Sequence, residues 1–349
     1  MEKPFEGLKV IELASVLAGP AVGMFFAELG AKVLKIENPL TGGDITRQWK
    51  GSEENKESSL SAYYQSVNWG KEILFIDIST QSGYDQLLKL LENADILLTN
   101  FKAGDAQKFK LAFNNLSEKF PKLICANLSG YNENDPRPAF DLVMQAETGF
   151  MSMNGTPDSG PLKMPVAFID LMAAHQLKEG ILTALYLREK NGIGNSIHVS
   201  LFDSAIASLA NQASNFLITG NSPQLMGSLH PNIAPYGETF LCADARFIVL
   251  AIGTEKQFSQ FCTAIEKPEL IDNPKFCDNA SRVLNRNELQ EHISGFFQNR
   301  IATQASSILA RAGVPAAIVR SVSDVLQSEE VNCLLLDNKL VRTAIFKLN

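Results

Sequence analysis

No uninterrupted apolar run in this 349-residue chain approaches the roughly 18 residues of a membrane-spanning helix. The opening Met-Glu-Lys-Pro-Phe-Glu is charged and lacks the apolar stretch of a signal peptide, so a cytoplasmic location without a membrane partner is expected. Histidine is scarce: His175, His198, His230 and His292 are far apart, and no HExxH or Cys/His spacing predicts a metal site. The five cysteines (Cys125, Cys242, Cys262, Cys277 and Cys333) form no CxxC pair and read as reduced core thiols. Positive charge is in deficit, with 31 Lys and Arg against 38 Asp and Glu, a net charge of −7. Nucleic-acid binding needs a basic face and is therefore not expected. The GxGxxG fingerprint is absent as well; the first strand is followed only by Gly19 and Gly23, which argues against NAD.

What is present is an alternation of two periods. Residues 8–13 (LKVIEL), 32–37 (KVLKIE), 73–78, 96–99 and 123–128 read as strands, with helical patterns at 21–29, 83–91 and around Leu116. Residues 164–169 (MPVAFI) form another apolar run, read as a strand leading into a helix over 171–190 that stops at Asn191-Gly192. Residues 197–201 and 205–218 continue as strand and helix. This order predicts an α/β fold with an open, mainly parallel, Rossmann-like sheet. After Gly220 the pattern changes to a hairpin (239–243 and 247–252) and short helices, a small α+β domain. The expected division is 1–219 for the large domain, 220–300 for the small one, and a return to the large domain over 301–349.

Several residues invite a chemical reading beside a plainer one. The segment 14–21 (ASVLAGPA) joins a strand to a helix start, which suits an anion or merely a tight turn. Glu37 ends the second strand, where a ribose-binding acid would lie in a dinucleotide fold. Lys71 and the triplet Asn100-Phe101-Lys102 sit next to strands; Lys and Asn suit phosphate and Phe101 suits a purine, but each could equally be surface. Asp170, between the apolar run and the helix, reads as an N-cap or as a carboxylate that helix N–H groups keep ionised for nucleophilic work. His230 lies in a loop-rich connection.

Taken in order, the segments LKVIELASVLAGP (8–20), ELGAKVLKIENP (28–39), GGDITR (42–47), NWGKEILFID (68–77), NFKAG (100–104), FDLVMQAETGFMSMNG (140–155) and the stretch 166–204 resemble the family III CoA-transferases. That group includes formyl-CoA transferase, carnitine CoA-transferase and alpha-methylacyl-CoA racemase. HPNIAPY (230–236) and RAGVPAAIV (311–319) extend the match over nearly the whole chain. The resemblance implies an open α/β domain plus a small domain, in a homodimer of interlocked rings. It places the catalytic carboxylate on Asp170, as an acyl-accepting nucleophile that passes CoA from an acyl-CoA thioester to a free carboxylic acid. It places coenzyme A, as substrate, near Val16, Leu17, Ala18, Asn38, Asn68, Lys71, Asn100, Phe101, Lys102 and Lys108. Phe140, Asp141, Gly227, His230 and Glu255 are implied around the acyl pocket, with N–H donors near Gly227 for the tetrahedral species.

Three departures bear on the reaction. Leu17 and Lys108 replace a glutamine and an arginine of the transferase pattern, which does not support formyl and oxalyl substrates. Phe140 stands where the racemases have histidine and cannot carry a proton, although Asp141 and Glu255 match acids of that site. A racemase-like acyl-CoA epimerase and a non-catalytic CoA-binding protein therefore remain as alternatives to the transferase.

Overall fold

Lys9–Glu12 (β1), Lys32–Glu37 (β2), Glu72–Phe75 (β3), Ile96–Thr99 (β4), Ile124–Ser129 (β5) and Ser196–Ser200 (β6) form one sheet in the order β3-β2-β1-β4-β5-β6. Every pairing in it is parallel. The computed structural model describes residues 3–337 and 339–347. Alternation along the strands sends neighbouring side chains to opposite faces. Val10 and Leu98 join Phe26, Ala173 and Leu177 in one core. Ile11 and Leu97 join Ile36, Leu87 and Leu116 in the other. All of β4 is buried, so it reads as apolar up to its last residue, Thr99. Three helices matter for the site: Ala18–Glu28 (α1), Asp141–Glu147 (α2) and Phe168–Asn191 (α3). The last ends on Gly192 in the left-handed conformation, as Asn191-Gly192 predicts.

Residues 164–169 are not a strand. Pro165 cannot donate to a ladder, the Met164 amide donates to the side chain of Gln145, and α3 already begins at Phe168. The expected helix over 205–218 is two helices, Leu201–Ala207 and Ala210–Thr219, interrupted where Ala210 takes a positive φ of 46°. Among the described residues no helix is long and apolar enough to cross a membrane.

The chain divides into two units. The first takes in the described residues up to Phe150, then Lys163–Ser214 and those from Asn332 onward; the second is Met151–Leu162 with Asn215–Val331. In the second, Tyr236–Leu241 pairs antiparallel with Phe247–Ala251, as the hairpin pattern predicts. The expected return to the large domain at 301 comes later, because Ala316–Ile318 adds to this hairpin as a third strand. Phe240, Phe258, Phe261, Phe276 and Phe297 form its core. Of the five cysteines, Cys125, Cys242 and Cys262 are buried; Cys277 and Cys333 are exposed rather than in a core.

Candidate active site

β1 and β4 are neighbours whose following segments diverge. The helix after β1 packs into one core, and Leu116, beyond β4, packs into the other. In open α/β sheets this switch point, at the carboxyl ends of the strands, is where ligands bind. A cavity of about 290 Å³ lies there, lined by Ser15–Ala18, Asn100–Ala103, residues 135–140 and Asp170. The first turn of α1 has no side-chain cap, so the amides at Leu17 and Ala18 are set at a helix N-terminus suited to an anion.

The loop into α1 is built from beneath by charge. Lys35 and Lys71 both reach the Glu12 carboxylate, Lys35 at 3.0 Å and Lys71 at 2.8 Å. Lys35 also meets Asp44 at 3.2 Å. The two ammonium groups then hold backbone: Lys35 donates to the Ala14 carbonyl at 2.6 Å and Lys71 to the Pro20 carbonyl at 2.8 Å. Asp44 accepts the Val16 amide at 3.1 Å. Val16 has φ = 73°, a costly region for a β-branched residue that persists because its surroundings hold it. Burial works against the Lys35 ammonium, but Glu12 and Asp44 outweigh it and raise its pKa. For Lys71 burial wins over Glu12 and pulls the pKa down to about 7. Gly19 and Gly23 are explained here. A Cβ at Gly19 would lie 2.4 Å from that of Ala14, and one at Gly23 would lie 1.8 Å from the Glu12 carboxylate. They let α1 close onto β1.

Asp170 is not an N-cap. It occupies the third position of α3, and the cap residue, Ala167, has no side-chain acceptor. The acceptor comes from α2 instead: Asp141 Oδ1 takes the Ile169 amide at 2.7 Å and the Asp170 amide at 3.3 Å. Among the described residues nothing donates to the Asp170 carboxylate, although it is only 8% exposed. Burial, and then the Asp141 charge, push its pKa from 3.8 up to about 7. The expectation of a carboxylate kept ionised by helix N–H groups is thus reversed.

Val16, Leu17, Ala18, Asn100, Phe101, Lys102 and Phe140 come together with Asp170 on the cavity wall. Phe140 is 56% exposed there. Lys71 and Asn68 do not join them: the Lys71 side chain is fully buried, and Asn68 Oδ1 accepts from its ammonium at 2.9 Å. Asn38 is exposed and caps the short turn after β2, accepting from Leu40 N at 2.9 Å. Lys108 is exposed, its ammonium 5.2 Å from the Phe109 ring centroid. Glu37 is occupied by Arg47 at 2.7 Å and by the Tyr64 hydroxyl at 2.7 Å.

Gly227, His230 and Glu255 belong to the second unit. The Gly227 amide, expected as an oxyanion donor, is already given to the Gly155 carbonyl at 2.6 Å. His230 Nδ1 accepts from Asn232 N at 3.1 Å, and burial followed by the Arg286 charge lowers its pKa. Glu255 forms a fork with Arg282 at 2.7 and 3.0 Å and caps Asn279.

Sequence reading missed three participants. Arg137 lines the cavity, gripped by Asp135 at 2.8 Å and stacked 3.7 Å from the centroid of Tyr131. Tyr63 stands near enough to Asp170 that burial and that carboxylate push its phenol up to about 12. Asp44 is buried beneath the loop. The paired Asp135-Pro136-Arg137-Pro138 pattern was the one local signal available, a rigid loop carrying a cation after a strand.

The profile of CoA-transferase family III matches residues 5–334. The chain belongs to that family. Succinate–glutarate CoA-transferase of Agrobacterium fabrum is 34% identical over 94% of this chain and 83% of its own length. Succinyl-CoA:mesaconate CoA-transferase of Haloarcula hispanica is 33% identical over 94% and 83%. The human succinyl-CoA:glutarate CoA-transferase is 32% identical over 94% and 74%. Among solved structures, a CAIB/BAIF family protein from Brucella suis superimposes with a TM-score of 0.86 at 34% identity, covering 99% of this chain and 93% of that one. This family III CoA-transferase therefore shares its α/β architecture as well as its sequence with the group, and it is an enzyme of that type.

Proposed function

We propose that the enzyme moves CoA from an acyl-CoA thioester to a free carboxylic acid through covalent intermediates on Asp170. The observation that carries this reading is the Asp170 carboxylate itself, buried on the wall of the switch-point cavity with no donor among the described residues holding it. Its oxygen attacks the thioester carbonyl, the C–S bond breaks, and a mixed anhydride and CoA thiolate form. The thiolate then attacks the aspartyl carbonyl and expels the first acid as its carboxylate, leaving an aspartyl-CoA thioester. An incoming carboxylate attacks that thioester, releasing the thiolate, which takes the new acyl group and frees Asp170. Division into steps lowers each barrier. The uncapped start of α1, with Lys102 and Arg137 on the same wall, suits the anionic CoA.

The names of the relatives point to short dicarboxylates, and succinyl-CoA is the first donor to try. Mass spectrometry of acyl-CoA and free-acid mixtures should show new thioesters, and hydroxylamine during turnover should convert Asp170 to a hydroxamate. Asp170→Ala should bind CoA without exchanging it; ordinary turnover by that variant would remove the covalent role. The family resemblance also implies a homodimer of interlocked rings. Leu217 and Ile218, 79% and 83% exposed, are apolar surface that a partner chain would cover. Light scattering that gives a monomer mass would overturn that part.

A further inference from the structure

Asp141, the first residue of α2, and Asp170, in the first turn of α3, meet at the start of α3, and they divide its amide groups unequally. Asp141 Oδ1 takes the Ile169 and Asp170 amides, while its Oδ2 accepts from Gln145 Nε2 at 2.6 Å. Gln145 is buried and fixed in turn, since its Oε1 accepts the Met164 amide at 2.8 Å. Asp141 is thus clamped by its own helix and by the segment leading into α3. An acid at the third helical position ordinarily gains from the cap region and from the positive end of the dipole. Here that end already faces a carboxylate.

We infer that Asp141 is a positioning residue for Asp170: it takes the amide donors at the start of α3 and presents its own negative charge, leaving the Asp170 carboxylate undonated. The inference rests on the reading of Asp170 as the nucleophile. In that role a carboxylate without donors keeps its lone pairs available for the thioester carbon. The raised proton affinity of Asp170, due first to burial and second to Asp141, agrees with the geometry. The other ionisable groups near Asp170 are accounted for. Tyr63 is a neutral phenol with a raised pKa. On the cavity wall Arg137 is paired with Asp135, and Lys102 is exposed. On elements packed against α3, Asp203 is bonded to Ser200, Glu28 to Thr343, Glu147 to Tyr131 and His198 to Ser129.

The test is the pH profile of kcat/KM, which reports ionisation in the free enzyme. Asp141→Asn keeps an oxygen acceptor that caps helices well and removes the charge; Asp141→Ser is a second neutral cap in case the first disturbs Gln145. In both, the acid limb should move to lower pH. The ratio of kcat/KM at about pH 5.5 to that at about pH 8 should rise about threefold or more, the factor that half a pH unit represents. Asp141→Glu, which restores the charge, should return the limb towards the parent's. A residue with only a structural role would lower activity equally at all pH values. Folded neutral variants whose acid limb stays in place would overturn the inference. That outcome is separable from failure of the nucleophile reading, which shows instead as turnover by Asp170→Ala.

Discussion

Asn100 and Ser15 exchange two hydrogen bonds across the mouth of the switch point: Asn100 Oδ1 accepts the Ser15 amide at 3.0 Å, and its Nδ2 donates to the Ser15 carbonyl at 2.8 Å. One side chain after β4 thereby fixes the backbone after β1. A residue read from sequence as a phosphate or base contact is at least as much a strut for the loop that lines the cavity.

Asn100→Ala should therefore act through that loop. Each bond is worth about 1 kcal/mol, so kcat/KM for the acyl-CoA should fall roughly ten- to thirtyfold. Steady-state kinetics would show this mainly as a higher KM. An unchanged KM would mean that the loop keeps its shape without the bridge.

Lys71→Met should lower stability rather than remove a CoA contact. At about pH 6, where Lys71 with its pKa of about 7 carries a charge, it leaves Glu12 buried with one cation fewer, a defect of about 3–5 kcal/mol for a broken buried pair. Denaturant unfolding measures this directly. A variant as stable as the parent but weaker for CoA would return Lys71 to the role of ligand.

Asp170→Asn should be more stable than the parent, in a pH-dependent way. The native pKa of about 7 lies above the ordinary 3.8. The folded state then holds the extra proton between those values, and stability falls as pH rises through that window. Above pH 7 the native carboxylate is a burden of up to roughly 4 kcal/mol, which the amide lacks. The melting temperature of Asp170→Asn should exceed the parent's most at about pH 8, with the gap closing towards pH 4. A gap independent of pH would mean that Asp170 is not a high-pKa acid.

Gly23→Ala should destabilise by about 1–3 kcal/mol, since its methyl group needs space held by Glu12. Gly295→Ala, where an added Cβ meets nothing within 4 Å, should instead stabilise the helix Arg286–Gln298 by about 0.5–1 kcal/mol. Thermal melts of the two variants moving in the same direction would contradict this account.

The parallel sheet was legible because its strands are short apolar runs separated by helical periods, and β4 is apolar at nearly every position. The start of α3 was not, because the run 164–169 suits strand and helix alike; Pro165 and the Gln145 side chain decide it, and the second lies about twenty residues away. Capping rules look within one turn, whereas the cap of α3 is Asp141, a partner from another helix. Lys71 looked like a surface cation because its burial depends on Glu12 and Pro20, which approach only once the sheet is assembled. Asp170 itself was found through family resemblance, while the condition of its carboxylate required the fold.

The burial of Asp170 also bears on the energetics of the proposed cycle. Acylation of a carboxylate turns a charged side chain into a neutral one. A cavity that penalises the charged form by roughly 4 kcal/mol favours the covalent adduct by a comparable amount relative to the free nucleophile. The empty site is then the strained station of the cycle and the loaded site the relaxed one. In the proposed cycle a site so arranged would hold its acyl or CoA group until a second acid is present.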